Sequence, residues 1–276
     1  MRRPIRWRID AFQLYCRFML KASSPAMRAI TGMRDASLAL LYPRECRVCG
    51  APVESWRDGV ACAQCWQNLD EACRSSGFCS KCGLLLPALP AHPNLTERRC
   101  GRCDEMSFTC ARSCGAYEGA LRESVIWLKE RPQLAPRLRE LLHSAFVAIT
   151  GIQAVESIIP VPLHPRRQQS RGFNQAEVIA RALSAATGPD VDAASLIRRK
   201  ETDLHRAGMD SAARAKSLQN AFEVRAPRLI ENCAVLVVDD VMTTGSTLHE
   251  IADTLLAGGA RAVSVLTIAR AVSLFH

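Results

Sequence analysis

Residues 233–271 read CAVLVVDDVMTTGSTLHEIADTLLAGGARAVSVLTIARA, and this stretch decides the fold. The unbroken apolar run at 234–238 is typical of a strand that is buried on both faces of a parallel sheet. A helical pattern follows and ends before a pair of glycines; its apolar positions are Leu248, Ile251, Ala252, Leu255 and Leu256. A second apolar run at 262–268 predicts another parallel strand. The stretch is therefore a βαβ unit, whose ligand site is expected at the carboxyl end of its first strand.

Two acidic residues and a loop of small residues separate the strand from the helix. The acids are Asp239 and Asp240, and the loop consists of Thr243, Thr244, Gly245, Ser246 and Thr247. Backbone N–H groups around a glycine can converge on a phosphate, and the start of a helix adds partial positive charge. Carboxylates would repel that phosphate, so we expect them to accept hydrogen bonds from sugar hydroxyls or to meet Mg²⁺. Because neither GxxxxGK[ST] nor GxGxxG after a strand occurs, the pattern favours a sugar-phosphate site.

The cysteines predict two zinc sites. Thirteen cysteines in a chain without an export signal indicate thiolates used as metal ligands, because disulfides persist mainly in oxidising compartments. Four CxxC pairs form two quartets with zinc spacing: Cys46, Cys49, Cys62 and Cys65, then Cys79, Cys82, Cys100 and Cys103. Four thiolates close the coordination shell, so both sites are expected to be structural. Redox dithiols are the alternative, and interleaved pairing between the quartets stays open. The remaining cysteines are interpreted as small apolar residues.

Length and charge indicate two domains behind a basic leader. The chain has 276 residues, 48% of them hydrophobic, which suits one α/β domain and a smaller module at roughly 100 to 200 residues per domain. Residues 1–44 carry nine Lys/Arg against Asp10 and Asp35, so most of the formal charge of +9 lies there. Such a leader suits nucleic acid, anionic lipid or an acidic partner, or has no specific partner. No apolar run reaches about 18 residues, so we expect no membrane span and a cytoplasmic location.

The segment VLVVDDVMTTGSTL at 235–248 resembles the phosphoribosyl-diphosphate (PRPP) signature of type I phosphoribosyltransferases. With the cysteine module and IIPVPLHPRRQQSRGFNQAE at 158–177, the chain resembles the ComF family of competence-associated proteins over roughly residues 37–270. The resemblance implies a leader at 1–36, a double zinc ribbon at 37–110 and, at 111–276, an α/β domain with a phosphoribosyltransferase-like parallel sheet flanked by helices. It also implies that Asp239 and Asp240 bind the ribose hydroxyls of PRPP–Mg²⁺ and that 243–247 holds the 5-phosphate.

The resemblance further implies a pyrophosphate side and a lid. Arg166 and Arg167 follow a strand predicted at 157–161, in a loop that faces pyrophosphate in related enzymes. Lys129 stands in the place of a characteristic family lysine; a solvated helix lysine is the alternative. Residues 198–220 suit a lid over PRPP. They depart from the family pattern, which has Gln near 205, an Arg-Ala-Glu-Arg-like run at 211–214, Asn at 217 and Gly at 220; here stand His205, Ser211-Ala212-Ala213-Arg214, Ser217 and Asn220. PRPP binding is therefore better supported than turnover.

Two functions fit these features. One is a ComF-like protein that binds PRPP–Mg²⁺ and transfers phosphoribosyl to an unknown nitrogen acceptor. Such a displacement needs charge neutralisation more than a protein nucleophile, so no Ser or Cys nucleophile is nominated. The other is a non-catalytic PRPP-binding or scaffold protein in DNA uptake and natural transformation, contacting single-stranded DNA or a helicase partner. Few aromatic residues and a nearly neutral remainder speak against extensive direct binding of single strands.

Overall fold

A computed structural model describes residues 43–75, 77–86, 98–101, 103–200 and 220–271. The strands in these ranges are β1 (Gly77–Phe78), β2 (Leu85–Leu86), β3 (Cys110–Ser113), β4 (Ser157–Pro160), β5 (Asp190–Val191), β6 (Leu196–Arg198), β7 (Phe222–Val224), β8 (Ala234–Met242) and β9 (Ala262–Arg270). The α-helices are α1 (Ala63–Ser75), α2 (Gly119–Glu130), α3 (Pro136–Thr150), α4 (Pro165–Arg171), α5 (Gln175–Thr187) and α6 (Ser246–Ala257). Short 3-10 helices cover Trp56–Asp58 and Pro227–Leu229.

A five-stranded sheet organises the larger part of the molecule. Its strand order is β3-β9-β8-β4-β5, and every neighbouring pair is parallel. The two longest strands, β8 and β9, lie side by side at its centre, as expected for apolar runs buried on both faces. The predicted parallel α/β architecture is therefore confirmed. A separate antiparallel pair, β6 with β7, flanks residues 201–219, so most of the predicted lid lies outside the described residues.

Helices cover both faces of the sheet, and each face has its own apolar core. Alternation along β8 directs Leu236 and Val238 toward α2, α3 and α5, whereas Val235 and Val237 face α6. Local sequence sets the helix ends: Pro136 occupies the first turn of α3, and the Asn174 side chain accepts a hydrogen bond from the Ala176 N–H at the start of α5. None of the helices in the described ranges is long and apolar enough to cross a bilayer.

The cysteine-rich segment straddles the β3 edge of the sheet. Cysteines 46, 62 and 65 belong to the core on the α2 and α3 face, where Trp66 and Leu69 of α1 also pack. Cysteines 79, 82 and 103 belong to the core on the α6 face. The two quartets therefore lie against opposite faces of the same sheet, an arrangement that spacing alone did not indicate.

Candidate functional site

The acidic pair lies inside the central strand rather than after it. The run at 234–238 predicted a strand ending before Asp239, but β8 continues to Met242 because its ladder with β9 extends to the Met242–Arg270 pair. Successive side chains of a strand point to opposite faces. Asp239 therefore lies on the side of α6, and Asp240 lies on the side of α2. The two carboxylates face different surroundings although they are adjacent in sequence.

Asp239 is a carboxyl group that the fold makes hard to ionise. Burial raises its pKa well above the ordinary value, and the neighbouring Asp240 carboxylate raises it further. The Asp240 N–H donates to Asp239 Oδ1 at 2.8 Å, which opposes the rise, as does the charge of Lys129. A cation or hydroxyl donors brought beside Asp239 would stabilise its charged form.

The loop after β8 has the features of an anion site. Gly245 adopts a left-handed φ of +88° and precedes α6, whose first turn has no side-chain cap at Gly245. The Ser246 N–H donates to Thr244 Oγ1 at a long 3.4 Å, and the N–H groups of Thr247 and Leu248 remain available for an anion. Thr244 Oγ1 and Ser246 Oγ lie 3.0 Å apart and are exposed to solvent with the loop. A shallow surface opening lies here, lined by Asp239, Val241, Met242, Thr243, Gly245, Thr247 and Leu248.

Lys129 reaches the site from α2. Its Nζ lies 3.5 Å from Asp240 Oδ2, and the two side chains are 34% and 19% exposed. The structure thus places the predicted pyrophosphate-side lysine beside one of the predicted ribose-binding carboxylates. The sequence interpretation had left a solvated helix lysine as an alternative, and this ion pair gives Lys129 a specific neighbour.

Arg166 and Arg167 lie on a helix instead of the predicted loop. Pro165 starts α4, and the His164 Nδ1 accepts a hydrogen bond from the Arg166 N–H at 3.4 Å. Proline at the first helical position and a side-chain cap favour this start. Because β4 is parallel to β8, α4 follows the same edge of the sheet as the phosphate loop. His164 therefore caps the start of α4.

The cysteines form two separate clusters of four, and each suits a tetrahedral zinc ion. The clusters are Cys46, Cys49, Cys62 and Cys65, and Cys79, Cys82, Cys100 and Cys103. A zinc–sulfur bond of about 2.3 Å gives an edge of about 3.8 Å between sulfurs in a tetrahedron. Neighbouring sulfur atoms lie 3.8 and 3.7 Å apart in the first quartet and 3.5, 3.6 and 3.6 Å apart in the second. The quartets do not interleave, and they suit structural zinc.

Three residues near the loop carried no functional signal in the sequence. The His249 Nδ1 accepts a hydrogen bond from the Ser107 N–H at 3.2 Å. Met106 packs beside Gly245. Arg270 ends β9 opposite Met242. The partners lie far apart in the chain, so local spacing could not reveal these contacts.

The end of the predicted lid explains one departure from the family pattern. Asn220 replaces the expected glycine and has a φ of +56°. Asparagine tolerates this left-handed region better than other non-glycine residues. Its N–H donates to Glu250 Oε1 on α6 at 2.9 Å. His205, 211–214 and Ser217 lie outside the described residues.

Comparison with known families covers both parts of the chain. Residues 37–116 match the family described as Double zinc ribbon domain, and residues 169–273 match Phosphoribosyl transferase domain. With the parallel sheet and the two cysteine quartets, these matches define a protein that joins a double zinc ribbon to a phosphoribosyltransferase domain.

DNA utilization protein YhgH of Salmonella typhimurium is 34% identical over 238 residues, which cover 84% of this chain and 99% of that protein. Competence protein F of Haemophilus influenzae is 29% identical and covers 76% of this chain and 96% of its own length. The chain belongs to the ComF family.

Among solved structures, a phosphoribosyltransferase from Corynebacterium diphtheriae is similar to this chain. It is 22% identical, and the match covers 53% of this chain and 75% of that one with a TM-score of 0.31.

Proposed function

We propose that the protein binds PRPP–Mg²⁺ at the carboxyl end of β8 and transfers its phosphoribosyl group to a nitrogen acceptor. One observation carries the proposal: Asp239 and the phosphate loop line the same opening, at the uncapped start of α6. A carboxylate and an anion site side by side suit a ligand that carries hydroxyls next to a phosphate.

Each end of PRPP has its own group of residues in this proposal. The loop N–H groups and the hydroxyls of Thr243, Thr244, Ser246 and Thr247 hold the 5-phosphate. Asp239 and Asp240 accept hydrogen bonds from the ribose hydroxyls, and such bonds stabilise the charged form of Asp239 against the burial that raises its pKa. The donor chemistry also fits Mg²⁺, a cation bound by carboxylate and phosphate oxygens, which would neutralise charge on pyrophosphate.

Transfer is a displacement at C1 of the ribose. The bond from C1 to the acceptor nitrogen forms, the bond from C1 to the pyrophosphate oxygen breaks, and the acceptor nitrogen loses its proton to solvent. The developing charge lies on the leaving pyrophosphate. Lys129 stands beside Asp240 at the sheet edge where α4 also begins, so Lys129, Arg166 and Arg167 are assigned to the pyrophosphate side.

Calorimetric titration of zinc-loaded protein with PRPP and Mg²⁺ tests the binding step. We expect Asp239→Asn combined with Asp240→Asn to weaken binding at least tenfold, since charge-assisted hydrogen bonds contribute about 1.5–3 kcal/mol each. The matched control is Asp190→Asn, which removes an exposed carboxylate on β5 far along the sheet. Equal affinity of the double variant and the control would contradict the assignment.

A second function is a non-catalytic PRPP-binding or scaffold role in DNA uptake, with single-stranded DNA or a helicase as partner. The names of two relatives, a DNA utilization protein and a competence protein, favour it. The departures at 205–220 also weaken the case for turnover. A screen of nitrogen acceptors for pyrophosphate release separates the two functions. A salt-dependent mobility shift of single-stranded DNA, lost when residues 1–44 are deleted, would support direct contact with DNA.

A further inference from the structure

The second cysteine quartet shares its apolar core with the phosphate loop. Cys79, Cys82 and Cys103 pack in the same cluster as Met242, which precedes the loop, and Leu248, which follows it. The first quartet packs in the other cluster, on the opposite face of the sheet. A disturbance of the second quartet therefore reaches the loop through direct packing, whereas one of the first quartet has to cross the sheet.

A methionine close to the metal ligands packs against the glycine of the loop. The Met106 N–H donates to the Cys103 carbonyl oxygen at 3.1 Å, so Met106 is tied to a ligand of the second quartet. A Cβ placed on Gly245 would lie 3.6 Å from Met106 Cε and 3.8 Å from its Sδ. The Met106 side chain thus packs beside Gly245, at the point where the loop adopts its left-handed conformation.

Ser107, the residue after Met106, contacts the first turn of α6. The Ser107 N–H donates to His249 Nδ1 at 3.2 Å, and Ser107 Oγ lies 3.3 Å from the same nitrogen. The His249 N–H in turn donates to the Gly245 carbonyl oxygen at 2.8 Å. Met106 and Ser107, which follow Cys103 closely in the chain, therefore contact both the glycine of the loop and the turn whose N–H groups would meet a phosphate.

We propose that the second metal site positions the phosphate loop, so that zinc at Cys79, Cys82, Cys100 and Cys103 and a phosphate-bearing ligand at 243–247 bind with positive coupling. The structural half of this proposal, that the second metal site positions the phosphate loop, rests on the contacts of Met106, Ser107 and His249. The identity of the ligand as PRPP rests on the proposed function. A metal-fixed segment at 103–107 holds the loop N–H groups in their binding arrangement before the ligand arrives, which lowers the cost of ordering them.

Coupling of this kind acts in both directions. If zinc strengthens ligand binding by some factor, the ligand strengthens zinc binding by the same factor. Ligand at the loop should therefore protect the second quartet and leave the first quartet unaffected. This asymmetry separates coupling through 103–107 from a general gain in stability, which would protect both quartets.

Amide hydrogen exchange of the full-length, zinc-loaded protein tests the structural half without any ligand. His249→Leu removes the acceptor of the Ser107 N–H, and His249→Asn keeps an oxygen near the position of Nδ1. We expect exchange at residues 249–252 to be about fivefold faster in His249→Leu, the equivalent of one neutral hydrogen bond, and near wild type in His249→Asn.

Cys100→Ser should also accelerate this exchange, and Cys49→Ser in the first quartet should change it less than twofold. Equal rates in wild type and His249→Leu, or equal effects of the two cysteine variants, would overturn the inference.

Thiol modification tests the reciprocal half of the proposal, that a ligand at the loop strengthens zinc binding at the second quartet. N-ethylmaleimide is applied with and without PRPP–Mg²⁺, and the modified peptides are quantified by mass spectrometry. We expect PRPP to slow modification of Cys100 and Cys103 about fivefold, to leave Cys49 and Cys62 unchanged, and to lose this effect in His249→Leu. Equal protection of both quartets would contradict coupling through 103–107. If calorimetry detects no binding of PRPP, the proposed function fails, and the exchange experiment still decides the structural half by itself.

Discussion

Lys129 Nζ lies 3.5 Å from Asp240 Oδ2, so a residue predicted to contact pyrophosphate is paired with a residue predicted to contact ribose. The pair connects α2 to the end of the central strand. It also matters for Asp239, because the Lys129 charge lowers the pKa of this carboxyl while burial and Asp240 raise it. Lys129 therefore favours the ionised form of Asp239 in the absence of ligand.

Replacing Lys129 should weaken ligand binding in a pH-dependent way. In Lys129→Met the pKa of Asp239 rises further, so a larger fraction of this carboxyl is protonated as the pH falls, and a neutral carboxyl accepts weaker hydrogen bonds than a carboxylate. We expect the affinity for PRPP–Mg²⁺ to fall about fivefold, a modest effect because the lysine side chain is 34% exposed and screened by solvent. The loss should grow as the pH decreases. Calorimetry at several pH values measures it, and Lys129→Arg, which keeps the charge, is the control; a loss independent of pH would contradict this role.

Asp239→Asn should stabilise the ligand-free protein, and more so at higher pH. Because the folded-state pKa of Asp239 is raised above its unfolded value, the folded state binds more protons than the unfolded state between the two values. The free energy of unfolding therefore falls as the pH rises through this window, and the full cost is present above the folded pKa. Asparagine removes that cost.

Urea unfolding across the pH range checks this prediction. We expect the gain from Asp239→Asn to exceed the roughly 0.5 kcal/mol within which surface substitutions lie, and to shrink toward acid pH. Asp190→Asn on the exposed strand β5 should stay within that limit at every pH. A destabilised Asp239→Asn variant at neutral pH would show that the ionised carboxylate supports the fold.

The parts of the site that lie close together in sequence could be predicted, and those that depend on packing could not. The strand, the acids, the loop and the helix at 234–257 are recognisable within one local stretch. The spacing of apolar residues changes there from that of a strand to that of a helix, and the residue types change with it. The end of β8 was placed too early because Asp239 and Asp240 do not look like strand interior; pairing with β9 extends it to Met242. Ser107 and His249 are 142 residues apart, and a single histidine in a helical pattern gives no sign of such a partner.

Gly245→Ala should destabilise the protein and abolish binding at the loop. The added Cβ would lie 2.7 Å from Met242 Cε, and alanine disfavours a φ of +88° by about 1–2 kcal/mol. Gly188→Ala is a matched control, because Gly188 also has a positive φ, +101°, and no atom within 4 Å of an added Cβ. Denaturant unfolding should show a loss in both variants. Only Gly245→Ala should lose PRPP–Mg²⁺ binding in calorimetry, and full affinity in this variant would contradict an anion site at the loop.

Arg270→Met should loosen zinc at the second quartet. Arg270 Nε and Nη1 are buried and have no hydrogen-bond partner within the described part of the chain. Hydrogen bonding with Cys79 and burial raise the pKa of Cys82, and the Arg270 guanidinium acts in the opposite direction.

Four thiolates around one Zn²⁺ leave a net negative charge that the Arg270 cation would offset. Loss of such outer groups typically reduces metal affinity about 10–100-fold. We expect zinc transfer to a chromogenic chelator to accelerate about tenfold for one of the two ions. Arg261→Met is the control: it removes an arginine that directly precedes β9 and pairs with Glu156 at 2.7 Å, and it should leave both rates unchanged. Equal acceleration by the two variants would mean that Arg270 acts through general stability and not through the charge of the metal site.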